Sequence, residues 1–323
     1  MMKKLSRNHR ICCTSRNYRE VVKLAKLKHV NVVIVGKHGG SSKEGKLLAS
    51  IKRMEYLFEL IRKFSPDLTI SFCSPEAARI SYGFGIKHVA FSDSPHAKAV
   101  MTLSVPFVQK LLTPWVIPKN EFVRYGISRK NISHYRAVDA ATIVKEKSQI
   151  EKISVNASKK TIVIRPEERE AAYFSGRLVS DQIIHEINKE SAKYNIIVLA
   201  RYNSQKNKLK NKFGKKITVM NKVVDGKSLL SITDVFIGSG GTMTAESALM
   251  GIPTISYDAV PNYIEKYLAR IGLIKRETNP KKISFLVKNM LRDDNKRNTE
   301  KAKRILDSME DPYLKLINTI KMI

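Results

Sequence analysis

Short apolar runs alternate with longer amphipathic stretches along most of the chain. In the first half, the apolar and β-branched runs predict strands at residues 11–14, 31–35, 67–72 and 86–91. The stretches between them carry apolar residues at helical spacing and predict helices at residues 17–27, 47–64 and 75–83. Strands separated by helices are typical of a doubly wound α/β domain, in which a parallel sheet has helices on both faces.

The second half repeats this alternation. Its short apolar runs predict strands at residues 161–164, 196–200, 217–220, 235–237 and 254–257. Residues 144–160 are polar and lysine-rich, which predicts a linker. We therefore expect an N-terminal Rossmann-like domain over residues 1–150 and a C-terminal Rossmann-like domain over residues 151–305, facing each other across a ligand-binding cleft. Residues 306–323 contain a helical pattern broken at Pro312 and are expected to cross back to the first domain.

The opening residues depart from this pattern. Residues 1–8 are predicted to be the tail of a helix, and the first predicted strand follows at once. A doubly wound domain normally begins with a buried central strand. We therefore expect the first strand of the N-terminal domain to be missing from this sequence, the alternative being a variant that begins with a short helix. A missing strand predicts a vacant position between the strands at 11–14 and 67–72, or low stability.

The charge balance narrows the choice of ligands. The chain has 59 Lys and Arg against 29 Asp and Glu, a formal net charge of +30. A positive charge of this size attracts phosphorylated ligands and the anionic surface of a membrane. The charge is therefore compatible with a peripheral contact between the protein and a membrane. Aromatic residues make up only 7% and do not interleave with the lysine-rich stretches at 206–216 and 295–304. A solvated basic surface is therefore favoured over a nucleic-acid-binding one.

Composition excludes several other classes of protein. Apolar residues make up 43% of the chain, enough for a core, and mean hydropathy is −0.25. No apolar run approaches the roughly 20 residues that a spanning helix needs, which excludes an integral membrane protein. Three cysteines give neither a disulfide framework nor zinc-ligand spacing, so we expect reduced thiols and no structural metal. The expected location is cytoplasmic, with the inner membrane face as a peripheral site.

The most informative segment is residues 234–257. A predicted strand ends in the glycine-rich residues 238–241, and a helix begins near Thr242. Glycines let a ligand approach the backbone closely, and a helix N-terminus favours an anion such as phosphate. Glu246, about one turn into the helix, can accept hydrogen bonds from ribose hydroxyls. The alternative is an exposed glutamate that merely suits the helix dipole.

Two short motifs in this segment carry a resemblance to known proteins. Ser-Gly-Gly-Thr-Met-Thr-Ala-Glu at residues 239–246, followed by Gly-Ile-Pro at residues 251–253, resembles the nucleotide-sugar site of glycosyltransferase-B-fold proteins. These include the N-acetylglucosaminyltransferase of peptidoglycan lipid synthesis and the non-hydrolysing UDP-N-acetylglucosamine 2-epimerases. In that transferase the glycine-rich turn holds the diphosphate and the glutamate holds the ribose. The resemblance implies these binding roles for Ser239, Gly240, Gly241, Thr242, Met243 and Glu246.

Over most of its length the chain is also similar to a largely archaeal family, the domain of unknown function 354. The segments that match lie in both halves of the chain, at residues 74–79, 92–97, 113–115, 164–168, 224–226 and 238–246. The resemblance implies the glycosyltransferase-B fold, with a UDP-sugar as donor substrate and no tightly bound cofactor. It leaves the reaction open.

The chain departs from the 2-epimerases at two carboxylates that those enzymes place after strands of the N-terminal domain. The first position here reads Cys73-Ser74-Pro75, and the second has Ala90 instead of glutamate, with Asp93 a few residues on. These departures weigh against epimerase chemistry. The transferase takes its proposed base from the loop after the first strand of that domain, which is the strand expected to be missing.

Further candidates follow predicted strands, where the sites of α/β proteins gather. Asp93 and His96 are candidates for a base and its orienting partner at an acceptor hydroxyl; alternatively, Asp93 caps a helix started by Pro95. Arg165 and Arg201 are candidates for binding phosphate, although Arg165 would serve equally well in a structural pair with a glutamate.

The leading functional hypothesis is an enzyme that transfers a sugar from a UDP-sugar to an acceptor. The alternatives are an enzyme like the 2-epimerases and a non-catalytic nucleotide-sugar-binding protein. A nucleic-acid-binding protein is the least favoured.

Overall fold

A computed structural model of the chain describes residues 1–17, 19–40, 42–147, 150–167, 179–200, 203–220, 224–257 and 262–323. The chain divides into two compact units. Unit 1 comprises Met1–Ala137 together with Glu310–Ile323, and unit 2 comprises Val138–Met309. No helix within these described ranges is long and apolar enough to cross a membrane.

The described residues contain twelve strands and fifteen α-helices, numbered along the chain. The strands β1 to β12 are Thr14–Asn17, Val33–Lys37, Leu68–Ser71, Lys87–Phe91, Lys110–Pro114, Ile132–Tyr135, Lys160–Arg165, Tyr194–Leu199, Thr218–Met220, Val235–Gly238, Thr254–Ser256 and Ile274–Arg276. The helices α1 to α15 are Met2–Leu5, Arg19–Leu27, Lys43–Phe64, Pro75–Gly83, Lys98–Ser104, Asn120–Val123, Asp139–Lys145, Ser180–Asn188, Asn203–Phe213, Gly226–Leu230, Thr242–Leu249, Tyr263–Arg270, Pro280–Arg292, Lys296–Asp307 and Pro312–Ile320.

Unit 1 contains two parallel sheets instead of one. Strands β1 and β2 pair with each other, and β3 to β6 form a four-stranded sheet in sequence order. No strand of the described residues pairs with the outer edge of β1 or with that of β3. Within the described residues the strands of this unit therefore form two separate sheets, β1-β2 and β3-β4-β5-β6.

The first strand is displaced from its predicted position. The apolar residues 11–14 predict it, but the strand runs over Thr14–Asn17, with an irregularity between Ser15 and Asn17. Thr14 lies opposite Val33 of β2. The position of β1 is therefore determined by its pairing with β2 and not by the run of apolar residues. The strand is polar because it is only partly buried. The sequence pattern was therefore wrong about its bounds.

Side-chain caps explain where helices α3 and α4 of unit 1 begin. Ser42 precedes α3 and its hydroxyl accepts a hydrogen bond from the Gly45 N–H. Ser74 precedes α4 and accepts one from the Ala77 N–H, with Pro75 at the first helical position. Ser74 is therefore a capping residue. Neither cap needs a ligand.

The two segments of unit 1, Met1–Ala137 and Glu310–Ile323, are joined by hydrogen bonds and an ion pair. The Glu310 N–H donates a hydrogen bond to the Arg136 carbonyl, and Lys4 forms an ion pair with Asp311. Asp311 also caps α15 by accepting a hydrogen bond from the Tyr313 N–H. Helix α15 therefore belongs to unit 1.

Unit 2 has a six-stranded parallel sheet in the order β12-β11-β10-β7-β8-β9. Its strands alternate their buried side chains between two hydrophobic clusters. Ile162 and Ile164 of β7 join one cluster, and Val163 joins the other. A sheet that is buried on both faces in this way is typical of the doubly wound fold. The predicted α/β fold is confirmed.

The change from unit 1 to unit 2 comes between Ala137 and Val138, ahead of the polar residues 144–160 that predict a linker. Helix α7 packs against α11, which places it in unit 2. Lys227 also ties this segment to unit 2, because its Nζ donates hydrogen bonds to the carbonyls of Val144 (2.9 Å) and Glu146 (2.6 Å).

Candidate functional site

The chain order of the strands in unit 2 reverses between β7 and β10. The chain moves from β7 outward to β8 and β9, and then returns to β10 on the other side of β7. Gly238 at the end of β10 lies directly opposite Arg165 at the end of β7. Ligands of doubly wound sheets bind at such a switch point, beside the carboxyl ends of the strands. The switch point is therefore the candidate site of this unit.

A glycine-rich loop, residues 238–242, joins β10 to α11 at the switch point. Gly240 and Gly241 have φ angles of 97° and 86°, in the region that favours glycine. Gly241 is the N-cap of α11 and has no side chain to cap the helix. A Cβ at Gly241 would meet no atom within 4 Å. The loop thus exposes backbone and the positive end of a helix dipole to open space, which suits an anion.

The helix behind this loop packs very closely on its strand. A Cβ at Gly238 would lie 2.5 Å from the Thr244 hydroxyl and 2.7 Å from the Phe236 ring. No larger side chain fits at Gly238 without a shift of these neighbours. The role of Gly238 is therefore packing, whereas that of Gly241 is backbone conformation and access.

Glu246 lies in the second turn of α11 and is only 8% exposed. A Cβ built on Gly226, the first residue of α10, would lie 3.3 Å from Glu246 Oε2. The carboxylate thus rests against the turn that starts α10, where Asp225 Oδ2 accepts a hydrogen bond from the Ser228 N–H (3.2 Å). The interpretation of Glu246 as an exposed dipole-compensating glutamate is wrong. Its carboxylate lies about one turn of α11 beyond the exposed loop and can accept hydrogen bonds from hydroxyl groups.

Arg165 lies at the switch point, where its carbonyl accepts a hydrogen bond from the Tyr257 hydroxyl (3.3 Å). The same hydroxyl donates to Glu167 Oε2 (3.0 Å), and Glu167 Oε1 accepts from the Ser180 N–H (3.4 Å). Glu167 is a buried carboxylate that holds the end of β7. Arg201, the other predicted phosphate-binding residue, lies outside the described residues.

A third buried carboxylate at this edge has no signal in the sequence. Glu265 of α12 accepts a hydrogen bond from the Ser256 hydroxyl (2.9 Å) and lies 3.0 Å from Arg276 Nε. Burial raises the pKa of Glu265, and the hydrogen bond from Ser256 and the charge of Arg276 offset only part of that effect. These partners converge because β11 and β12 are neighbours, which the sequence pattern does not reveal.

Asp93 and His96 lie together in unit 1, in the turn between β4 and α5. Burial lowers the pKa of His96, and the negative charge of Asp93 offsets part of this effect. The two groups therefore interact electrostatically. Asp93 Oδ1 accepts a hydrogen bond from the Ser94 hydroxyl (2.6 Å). Helix α5 begins at Lys98 without a side-chain cap. The alternative in which Asp93 caps a helix started by Pro95 is therefore wrong.

A residue outside this turn also holds it in place. The Tyr125 hydroxyl donates a hydrogen bond to the Pro95 carbonyl (2.9 Å).

The predicted site residues that the structure describes form two groups: Asp93 and His96 in unit 1, and Arg165 with residues 239–246 in unit 2. Within the described ranges no group of His, Cys, Asp and Glu has the arrangement of a metal site.

Sequence comparison places the chain in a family. The model of the protein family of unknown function DUF354 matches residues 2–321, so the chain belongs to this family. An uncharacterized protein of Methanocaldococcus jannaschii is 28% identical over 264 residues, which cover 79% of this chain and 76% of that protein.

Comparison with solved structures identifies the fold. The UDP-GlcNAc 2-epimerase of Neisseria meningitidis bound to UDP-GlcNAc has a TM-score of 0.73 at 14% identity, covering 99% of this chain and 95% of that one. The M. jannaschii UDP-GlcNAc 2-epimerase in complex with UDP-GlcNAc and UDP has a TM-score of 0.66 at 15% identity, covering 94% and 93%. Anabaena HepE in complex with UDP and glucose has a TM-score of 0.61 at 12% identity, covering 94% and 89%. The chain has the glycosyltransferase-B type of fold.

Proposed function

We propose that this protein binds a UDP-sugar at the switch point of unit 2 and transfers the sugar to an acceptor. The diphosphate would lie against residues 239–243 at the N-terminus of α11, with Arg165 and Arg201 as further phosphate partners. Glu246 would accept hydrogen bonds from the ribose hydroxyls. The UDP-sugar is then the donor substrate, and the reaction needs no tightly bound cofactor.

One observation carries this proposal: a buried carboxylate in α11 follows, about one turn later, the exposed glycine loop at the switch point. Glu246 is 8% exposed, whereas Gly241 and Thr242 are exposed. A carboxylate accepts hydrogen bonds from hydroxyl groups, and the vicinal ribose hydroxyls offer two donors. The complexes of the solved structures with UDP or UDP-GlcNAc support the same class of ligand.

The acceptor would be bound by unit 1, where Asp93 and His96 form the candidate base and its partner. Burial keeps the pKa of His96 low, so the imidazole is neutral near pH 7 and able to accept a proton. The charge of Asp93 would stabilise the imidazolium that forms when His96 takes a proton from an acceptor hydroxyl.

Epimerization is the second candidate reaction, because two of the solved structures cited above are UDP-GlcNAc 2-epimerases. The ends of β3 and β4 weigh against it. Cys73 is buried and burial raises its pKa to about 11, so its thiol is protonated near neutral pH. Ala90 offers no acid or base. Glu76 is nearby in sequence, but Arg16, Ser50 and Ser74 already engage its carboxylate.

Replacing Glu246 with glutamine is the direct test of the binding site. The change removes the charge from hydrogen bonds that are worth roughly 1.5–3 kcal/mol when charge-assisted. We expect UDP binding measured by calorimetry to weaken by about 1–3 kcal/mol, which is roughly fivefold or more. Glu186→Gln is the matched control, because Glu186 lies on the surface of unit 2 in an ion pair with Lys189. Equal UDP affinity in both variants would place the nucleotide elsewhere.

Replacing Gly226 with alanine separates binding from folding. The added Cβ would press on Glu246 Oε2 at 3.3 Å, so the carboxylate must shift by a few tenths of an ångström. Alanine in a helix is favoured over glycine by roughly 0.5–1 kcal/mol. We therefore expect UDP affinity to fall by about tenfold while urea stability is kept or improved. Loss of stability together with affinity would contradict this explanation.

Turnover assays then identify the reaction. Hydrolysis or transfer of the sugar in the presence of an acceptor extract supports the transferase. Release of the 2-epimer without an acceptor supports epimerization, and UDP binding without turnover of any UDP-sugar supports a sensor. Tight binding of a short oligonucleotide without any response to UDP would overturn the proposal.

A further inference from the structure

A half-buried histidine, His134, lies on β6 at one end of the four-stranded sheet of unit 1. Its Nε2 lies 2.9 Å from the carbonyl oxygen of Ile117. A carbonyl oxygen only accepts hydrogen bonds, so Nε2 carries the proton of the neutral ring and Nδ1 is left unprotonated. Thr113 pairs with His134 in the register of β5 and β6, and its buried hydroxyl has no hydrogen-bond partner among the described residues. Polar groups with unused hydrogen-bonding capacity therefore share this part of the sheet.

Two basic side chains come from the segments that flank the ring. Lys119 follows Ile117 by two residues and directly precedes α6. Arg129 lies in a short 3₁₀ turn just before β6, and its guanidinium donates a hydrogen bond to Asn120 Oδ1. The segments around Lys119 and Arg129 are thus tied to each other, while the carbonyl of Ile117 ties the first of them to the His134 ring.

Helix α15 brings a third basic side chain from the far end of the chain. The Arg136 N–H donates a hydrogen bond to Glu310 Oε1 (2.6 Å), and the Arg136 carbonyl accepts one from the Glu310 N–H (3.0 Å). These bonds hold the segment before α15 against the end of β6. Lys315 lies half-buried in the first half of α15, which packs on β5. The tertiary fold therefore collects these charges, which a run of lysines in the sequence would not do.

The electrostatics of the ring report how close these cations are. Burial lowers the pKa of His134, and the charges of Lys119, Arg129 and Lys315 lower it further. The hydrogen bond to the Ile117 carbonyl offsets only part of this effect. Cations lower the pKa of a histidine when they are near enough to repel the proton it would take up. Lys119, Arg129, His134 and Lys315 are therefore one group, the His134 cluster.

Acidic side chains on the neighbouring elements are engaged with other partners. Glu121 of α6 forms an ion pair with Arg124 (2.8 Å), and Asp311, which precedes α15, forms one with Lys4. Glu310 accepts the hydrogen bond from the backbone that follows β6. The hydrogen bonds and ion pairs of the described residues include none for the two lysine ammonium groups of the cluster. The cluster thus gathers positive charges that repel one another, and a bound anion would relieve this repulsion.

We infer that the His134 cluster binds a dianionic phosphoryl group. A carboxylate would offset one of the three permanent positive charges, whereas a phosphomonoester dianion offsets two. Arg129 would contact the phosphate through N–H groups that are not bonded to Asn120, and the lysines would act as point charges. His134 would take up a proton from the solvent on Nδ1 and donate it in a hydrogen bond to a phosphate oxygen. The inference goes beyond the proposed function and does not rest on it, because no residue of the switch point takes part.

The test follows His134 by NMR. Imidazole ¹⁵N signals of the full chain are recorded during titration with inorganic phosphate at constant ionic strength, and His134→Gln assigns the His134 signals. We expect the Nδ1 signal to move toward the protonated form and to saturate. The pKa of His134 should be higher in the phosphate-saturated protein than in the free protein, since the dianion offsets the cations around the ring. A shift that does not saturate, or a pKa that phosphate leaves unchanged, would overturn the inference.

Replacing either lysine of the cluster with methionine should have two effects. Lys119→Met and Lys315→Met should each raise the apparent Kd for phosphate about tenfold, because a charge-assisted contact is lost. Each should also raise the pKa of His134 in the free protein, because one cation that opposes protonation is gone. The second effect needs no ligand, so it shows that the variant is folded and that the lysine acts on the ring. Unchanged pKa values in both variants would contradict the cluster itself.

Lys321→Met is the matched control, because Lys321 is an exposed lysine directly after α15 and its loss changes the net charge equally. It should leave both the phosphate affinity and the pKa of His134 unchanged. Equal weakening of phosphate binding by Lys321→Met and Lys315→Met would show diffuse attraction to a basic surface. Glu246→Gln should leave the His134 titration unchanged, which separates this site from the proposed UDP site.

Further probes identify the kind of phosphate. Dimethyl phosphate, a monoanionic diester, should bind at least about tenfold more weakly than glycerol 3-phosphate, because half of the ligand charge is missing. Equal affinities would contradict recognition of a dianion and would indicate the diester backbone of a nucleic acid. Saturation by glycerol 3-phosphate alone assigns the site to a soluble phosphomonoester. Loss of the His134 signal on vesicles containing phosphatidic acid, reversed by Lys315→Met, assigns it to a lipid headgroup. No response to either glycerol 3-phosphate or the vesicles would overturn the inference.

Discussion

Replacing Gly241 with valine should abolish UDP binding that calorimetry detects in the parent protein. Gly241 has φ 86° and ψ −168°, a conformation that costs a β-branched residue roughly 1–3 kcal/mol. Its new side chain would project into the open space over the N-terminus of α11, where the diphosphate is proposed to lie. The valine therefore acts twice, through backbone strain in the loop and through obstruction of the ligand.

A second glycine controls for the strain. Gly214 has φ 59°, and a Cβ there also meets no atom within 4 Å. Gly214→Val should cost stability in the same way, yet UDP affinity should remain that of the parent, since Gly214 lies after α9 and away from the glycine loop. If Gly241→Val folds and binds UDP normally, the nucleotide does not approach this loop. If both variants lose binding alike, the loss reflects stability alone.

The sequence predicts the fold of unit 2 well because its signals are local. A buried parallel strand shows as a short β-branched run whatever its neighbours are, so the runs at residues 161–164 and 235–237 lie within β7 and β10. Capping is local as well: Asp225 directly precedes α10, and its side chain accepts a hydrogen bond from the Ser228 N–H. Such features depend on a few adjacent residues and need no knowledge of the sheet order.

The features that the sequence could not predict depend on contacts between distant segments. The carboxylate of Glu246 rests beside Gly226, twenty positions earlier in the chain, because α10 and α11 begin at the same end of the sheet. In unit 1 the pairing with β2 moves β1 to Thr14–Asn17. Strands β5 and β6 were not predicted at all. Polar residues interrupt the apolar pattern of both strands, Thr113 in β5 and His134 in β6.

Unit 1 also holds a histidine whose environment predicts a dependence of stability on pH. His88 of β4 is completely buried. Its Nδ1 lies 2.6 Å from the Thr69 hydroxyl and its Nε2 lies 2.9 Å from the Ser71 hydroxyl, both on the neighbouring strand β3. Burial lowers the pKa of His88 from 6.5 to about 4, so the ring is neutral in the folded protein over most of the accessible pH range.

Lowering the pH from 7 to 4 should therefore destabilise the protein through His88. The unfolded chain takes up a proton near pH 6.5, whereas the folded protein resists it until about pH 4. The stability that the neutral ring provides is thus complete above pH 6.5 and is lost as the pH falls. The difference between these pKa values corresponds to about 3 kcal/mol. His88→Gln removes this titration, so urea unfolding curves at pH 7, 5.5 and 4 should show a steeper loss of stability in the parent than in the variant. Parallel losses in both proteins would show that His88 is protonated in the folded state, and that its burial between β3 and β4 does not control the acid stability of unit 1.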